Sequence, residues 1–181
     1  PQEHYIYAAD SLYAPYGSRS SEAILARCQS VTTFLLEHDI KALVVACNTA
    51  TVAAIQVLRK QYDLPIIGME PAVKPAAAAT KNGRIGILAT TGTLKSAQFE
   101  ALLDTYGQHV QVFTQACEGL VECVERGELI SESTLDLLRR YCAPLQQAEI
   151  DTIVLGCTHY PFLKPAIEQI VGKHITLIDT G

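Results

Sequence analysis

Sliding the chain along itself by 110 residues lays Ile40–Thr51, IKALVVACNTAT, over Ile150–Pro161, IDTIVLGCTHYP, and brings Cys47 onto Cys157. In the same register Ser21-Glu22 falls on Ser131-Glu132, Leu25 on Leu135, Leu35 on Leu145, Ile40 on Ile150 and Val44 on Val154. Each copy reads as a helix, a strand, a cysteine and a polar pair. A generic likeness between two α–β units accounts for the aliphatic identities, but poorly for the coincident thiols. A chain repeated in this way is expected to form two lobes, each presenting one thiol at a strand C-terminus to a shared cleft.

The segments around the repeat support an α/β class. Strand-like runs at Tyr5–Ala8, Ala42–Ala46, Ile66–Gly68, Arg84–Ala89, Val110–Thr114, Thr152–Gly156 and Ile175–Ile178 alternate with helical patterns. The helices are expected over Ser21–Glu37, Ala50–Gln61, Pro71–Lys81, Leu94–Tyr106, Leu120–Gly127 and Ser131–Gln147. Short β-branched runs between helices predict mainly parallel sheets, whose ligands sit beyond the strand C-termini. The expected architecture is two pseudo-symmetric three-layer α/β lobes with the active site between them. Residues 1–80 plus 173–181 make the first lobe and 81–172 the second.

Composition narrows the function classes. With 49% hydrophobic and 18% charged residues in 181, the chain can build a core. A net charge of −5 and the lack of a basic stripe argue against nucleic acid as the primary partner. The longest apolar stretch, Ala42–Ile55, is broken by Asn48, Thr49 and Thr51, so no membrane span is expected. Six cysteines without a C-x-x-C pair, after an N-terminus with no leader pattern, read as reduced thiols in a cytoplasmic protein. Pro1 at the start and Gly181 directly after a strand suggest a piece of something longer.

Cys47 and Cys157 each follow a strand and precede polar residues at a helix start. There, helix N-terminal charge and amide or hydroxyl donors favour thiolate. The alternative for either is a small core residue, which is the assignment of Cys28, Cys117, Cys123 and Cys142. Two opposed thiols, one ionised and one protonated, suit removal of a proton from one face of an sp³ carbon and its return on the other. His159, beside Cys157, can fix one protonation state or serve as a hydrogen-bonded structural residue. The Thr90-Thr91-Gly92-Thr93 loop, Asn48-Thr49 and Thr158 offer donors for a small carboxylate, and Tyr16-Gly17 adds a phenol and a turn. Glu122 and Glu125, three apart, are candidate partners or solvated charges.

APYG, VVACNTAT, IGMEPA, LATTGT and GCTHYP, in this order and over nearly the whole chain, resemble the cofactor-independent aspartate/glutamate racemase family. The resemblance implies interconversion of L- and D-glutamate without pyridoxal phosphate or metal, supplying D-glutamate for peptidoglycan in the bacterial cytoplasm. It further implies a small-molecule partner and admits a homodimer. By motif, Cys47 is similar to the base that takes the proton from D-glutamate and Cys157 to the one acting on L-glutamate. His159 resembles the residue assisting the second cysteine, and Glu125, rather than Glu122, a supporting carboxylate. Tyr16 with Gly17, Asn48 with Thr49, Thr158 with His159, and Thr90 with Thr93 look like its substrate contacts. The family's opening strand and Asp-Ser-Gly loop have no counterpart here, and Asp10-Ser11 is not assigned that role.

Three rival readings remain at this level. An aspartate or hydantoin racemase would share the thiols and differ in its side-chain pocket. A non-catalytic amino-acid-binding protein would bind glutamate without exchanging Cα. A metal site at Cys157 and His159 lacks a complete ligand set.

Overall fold

The computed structural model describes residues 3–180; Pro1, Gln2 and Gly181, which the expected first lobe includes, lie outside the described residues. The two copies of the repeat fold alike. α1 (Ser21–Leu36) and α7 (Glu132–Gln147) each run 16 residues and are capped by Ser20 and Ser131, whose side chains accept from the backbone N–H three residues on. Each helix is followed by a non-glycine residue in the left-handed region, Asp39 at φ 51° and Glu149 at φ 53°. These two lie at the same 110-residue offset, each just before the isoleucine that leads into a strand. The strands are β1 (Leu43–Val45) and β5 (Thr152–Leu155).

β1 pairs in parallel with β2 (Ile66–Gly68), Val44 opposite Ile67. A second, all-parallel sheet has the order β4 (Gln111–Ala116), β3 (Arg84–Ala89), β5, β6 (Thr176–Asp179). In β3 and β5 every residue after Arg84 is buried, which accounts for their uninterrupted apolar runs. One cluster joins Leu88, Ile153 and Leu155 to Leu120, Leu138, Cys142, Leu145 and Ile167. Those partners belong to α6 (Leu120–Glu125), α7 and α8 (Lys164–Val171). A second cluster joins Ile85, Ile87 and Val154 to Val73, Ala76 and Phe99 of α3 (Val73–Ala79) and α5 (Ala97–Tyr106). This half is therefore a three-layer sandwich. In the other, α1 and α2 (Asn48–Gln61) bury one face of the β1–β2 pair through Ile24, Leu35, Leu43, Ile55, Leu58 and Ile66. Val44 and Ile67 are exposed on its opposite face.

Several elements depart from expectation. Residues 3–10 form no strand: Tyr5 and Tyr7 are exposed, and β propensity without a pairing edge leaves the segment irregular. Of the segment 173–181, the described residues do not join the first lobe's sheet. β6 pairs with β5, and its Leu177 and Ile178 pack against the two clusters of the four-stranded sheet. α3, placed before residue 81, also packs on that sheet, so the change of core precedes the expected boundary. The helix expected over Leu94–Tyr106 is broken into α4 (Thr91–Leu94) and α5. The Ser96 hydroxyl donates to the Thr93 carbonyl and accepts from the Phe99 N–H, which closes one helix and caps the next.

β2 runs tight against α2 because residue 68 has no side chain. A Cβ there would meet Thr51 Cγ2 at 2.5 Å and Ile55 Cδ1 at 3.1 Å. Gly68→Ala is expected to lower stability by about 1–3 kcal/mol through overpacking. Urea unfolding should show a lower midpoint with an unchanged slope.

Candidate active site at the strand ends

Cys47 is the N-cap of α2, and its sulfur accepts a hydrogen bond from the Ala50 N–H at 3.4 Å. β1 ends at Val45 and α2 begins at Asn48, so the thiol stands at the helix's positive end. Burial pushes this thiol up from its ordinary value, while the Ala50 and Thr49 amides and the Thr49 hydroxyl pull toward thiolate. Asn48, 1% exposed, accepts from the Thr180 hydroxyl at 3.5 Å. Its side-chain nitrogen is buried with no hydrogen-bond partner among the described residues.

Cys157 stands at the matching place after β5, where the Gly156 N–H donates to the Leu88 carbonyl of β3 at 2.7 Å. The helix starts later here: Thr158 and His159 precede a 3₁₀ turn, Tyr160–Leu163, and α8 follows. His159 gains from that delay a position beside the sulfur, with Nδ1 3.9 Å from Cys157 Sγ. Its Nε2 lies 2.6 Å from Glu125 Oε1, at the end of α6. An ionised carboxylate only accepts, so Nε2 carries a proton, and in the neutral imidazole Nδ1 is then an acceptor facing the thiol. Burial pushes the Cys157 thiol up to about 12, opposed by the His159 and Tyr160 amides and reinforced by the neighbouring Cys47.

Hydroxyls tie the lobes together beside Cys47. Thr49 Oγ1 lies 2.8 Å from Thr90 Oγ1 and 3.3 Å from Thr93 Oγ1, and Thr90 donates to Thr93 at 3.0 Å. All three residues are buried. The loop carrying Tyr16 and Gly17 packs against this triangle: a Cβ on Gly17 would lie 3.2 Å from Thr90 Cγ2, and one on Gly92 3.3 Å from Thr49 Cγ2. Tyr16 donates to Asp10 and, like Cys47, packs against the core of α1 and α2. Thr158 is half-buried next to Cys157. Glu122 makes no ion pair among the described residues. It lines a cleft of about 540 Å³ with Pro15, Ser18, Arg19, Ser20 and Ala23.

The structure brings Thr49, Thr90 and Thr93 into direct contact and joins Cys157, His159 and Glu125 in one chain of polar contacts. Cys28, Cys117, Cys123 and Cys142 are buried, free thiols. Among the described residues no group of three or more His, Cys, Asp or Glu is placed to hold a metal ion. Sequence reasoning missed Arg27, which bonds Asp10 from 17 residues away, and Thr180 at Asn48. Neither contact has a local sequence signal.

The family model described as Asp/Glu/Hydantoin racemase matches residues 1–181. The glutamate racemase of Pseudomonas aeruginosa is 55% identical over 182 aligned residues, covering 100% of this chain and 69% of that protein. The glutamate racemase of Ectopseudomonas mendocina is 57% identical with the same coverage. Among solved structures, Escherichia coli glutamate racemase in complex with L-glutamate and the activator UDP-MurNAc-Ala superposes with a TM-score of 0.89 at 36% identity, covering 98% of this chain and 68% of that one. Francisella tularensis glutamate racemase in complex with D-glutamate gives 0.79 at 25%, covering 94% and 64%.

Proposed function

The chain belongs to the Asp/Glu/hydantoin racemase family, and we propose that its reaction, the interconversion of L- and D-glutamate, runs through Cys47 and Cys157. The observation that carries this reading is the pair of thiols at equivalent strand ends, one from each sheet. One thiolate removes the Cα proton of bound glutamate, leaving a carbanion delocalised into the α-carboxylate. The opposing thiol then delivers its own proton to the other face, and the two sulfurs exchange protonation states.

Burial disfavours ionisation of both thiols before substrate binds. The substrate ammonium brings a positive charge beside them and lowers the thiol about to act as base. On the Cys157 side, His159 Nδ1 is the acceptor through which that proton leaves, with Glu125 supporting the developing imidazolium. On the Cys47 side the proton leaves to solvent as substrate enters, and the helix N-terminal amides stabilise the thiolate left behind. Thr49, Thr90 and Thr93, bonded to one another here, exchange those bonds for substrate carboxylate oxygens, together with Asn48, Thr158 and the Tyr16-Gly17 loop. Enclosure between the lobes keeps water from competing for the carbanion.

This reading includes a supply of D-glutamate for peptidoglycan in the bacterial cytoplasm. No helix among the described residues is long and apolar enough to cross a membrane. Sedimentation of the full-length protein reads its oligomeric state, for which the resemblance admits a homodimer.

The test is deuterium uptake at Cα in deuterated buffer. Both glutamate enantiomers should exchange, and aspartate far more slowly. Exchange of aspartate in preference to glutamate, or glutamate binding without exchange, would refute the assignment. Glu125→Gln should lower kcat/KM about tenfold. Because the enantiomers are equal in free energy, kcat/KM must fall equally in both directions. The discriminating readout is a larger primary deuterium isotope effect on L-glutamate, where Cys157 takes the proton.

A further inference from the structure

Arg27 lies near the middle of α1, one residue before the buried Cys28. Its Nε and Nη2 donate to the two oxygens of Asp10 at 3.0 and 2.8 Å. Its guanidinium sits 3.8 Å from the Tyr13 ring centroid. Asp10 in turn holds the loop that follows it: its backbone carbonyl accepts from the Tyr13 and Ala14 N–H groups, both at 3.0 Å, and its carboxylate accepts from the Tyr16 hydroxyl. Gly17, the next residue, rests against the Thr90 side chain. Helix, carboxylate, phenol and carboxylate-binding loop are therefore linked in series.

We infer that Arg27 is a positioning residue for substrate binding, which acts through Asp10 to set the Tyr16-Gly17 loop against Thr90. The inference rests on the racemase reading of the site. The planar fork of arginine matches the carboxylate with two parallel bonds, and its face covers an aromatic ring; the point charge of lysine does neither. The Asp10 and Arg27 side chains are 13% and 29% exposed, so the pair is shielded more than an ordinary surface ion pair. Arg27 holds the Asp10 carboxyl below its ordinary range, which leaves it an acceptor. Burial, and then the bond to Asp10, holds the Tyr16 phenol above its own, which keeps the phenol a donor. The arrangement has only one sense of hydrogen bonding, and it orients the ring without requiring Arg27 to reach the substrate.

The experiment compares Arg27→Lys, Tyr16→Phe and the double variant in the full-length protein, reading KM and kcat for both glutamate enantiomers alongside melting temperature. Each single variant should raise KM about tenfold and change kcat by no more than about twofold, since a displaced loop weakens binding before it slows chemistry. The double variant should be no worse than the more affected single, because both break one chain of contacts. Unchanged KM with only a lower melting temperature would assign the cluster to stability and overturn the inference, as would effects that multiply in the double variant. Should Arg27→Lys fail to fold, Tyr16→Phe and Asp10→Asn carry the same KM test, and normal KM values in both overturn the inference. A wild-type protein inactive on glutamate overturns the racemase reading and this one with it; an active wild type with unmoved KM values overturns this one alone.

Discussion

Cys47→Ser is expected to abolish racemisation in both directions, with at least a thousandfold loss of kcat. The size follows from the chemistry at that position. A serine hydroxyl at the N-cap of α2 can keep the bond from the Ala50 N–H, so the fold around it should survive. An alcohol, however, ionises far less readily than a thiol, and the donors that favour thiolate at residue 47 cannot compensate for that difference. A two-base reaction needs both proton carriers in each turnover, so loss of one stops both directions. Cys157→Ser should behave in the same way. Cys28→Ser, by contrast, alters a thiol inside α1 that faces the core, and its consequence should be a change in stability rather than in the isotope effects. Racemisation by Cys47→Ser at the wild-type rate would remove the two-thiol mechanism.

Much of this site is legible in the sequence because its chemistry is local to strand ends. ACNT and GCTH each place a cysteine where an apolar run stops and polar helix-starting residues follow, and the structure finds both sulfurs at those ends. β3 needs no neighbours to be recognised, since RIGILA is apolar after its first residue, as a strand buried on both faces must be. Glu125, preferred to Glu122 on the resemblance, is the last residue of α6 and reaches the His159 imidazole, while Glu122 lines the cleft with Pro15 and Arg19.

What escapes is what depends on partners remote in the chain. Nothing in YIYA says that no strand edge awaits it. Nothing in TLID says that both its faces will be taken by the second sheet's clusters rather than by the first lobe. The left-handed Asp39 and Glu149 are invisible for another reason. Neither is glycine, so the turn that repeats so faithfully in space has no residue signature, and only the matching isoleucines after it mark the register. Arg27 and Asp10 make the same point within the site: an ion pair across 17 positions becomes apparent only when α1 is laid beside the loop.

Alkaline pH should unfold this protein, because several thiols are buried without a cation to stabilise their charged form. Burial pushes Cys28 and Cys142 to about 11 and Cys157 to about 12, and raises Cys47 and Cys117 as well. In the unfolded chain the same groups ionise near the ordinary thiol value, about 8.5. Each folded-state pKa is therefore raised above its unfolded value. The stabilisation is fully present below about pH 8.5 and is lost as pH climbs toward 11, since over that interval the unfolded chain has shed protons that the native one retains. Every such thiol contributes about 1.4 kcal/mol per pH unit; the three whose values lie at about 11 to 12 alone remove about 4 kcal/mol per unit. Set against a total stability of roughly 5–15 kcal/mol, that is enough to bring the transition within two units. The melting temperature should fall by about 10 °C between pH 9 and pH 10. Cys142→Ala, which removes one fully buried thiol from the cluster on α7, should lower stability at neutral pH through the cavity it leaves, yet flatten the alkaline slope. Thiolate absorbance in the ultraviolet should then appear together with the loss of structure and not before it. Absorbance that rises in the folded protein near pH 8.5 would mean that these sulfurs already meet solvent, and the same observation would remove the reason for both active-site thiols to wait for substrate before one of them ionises.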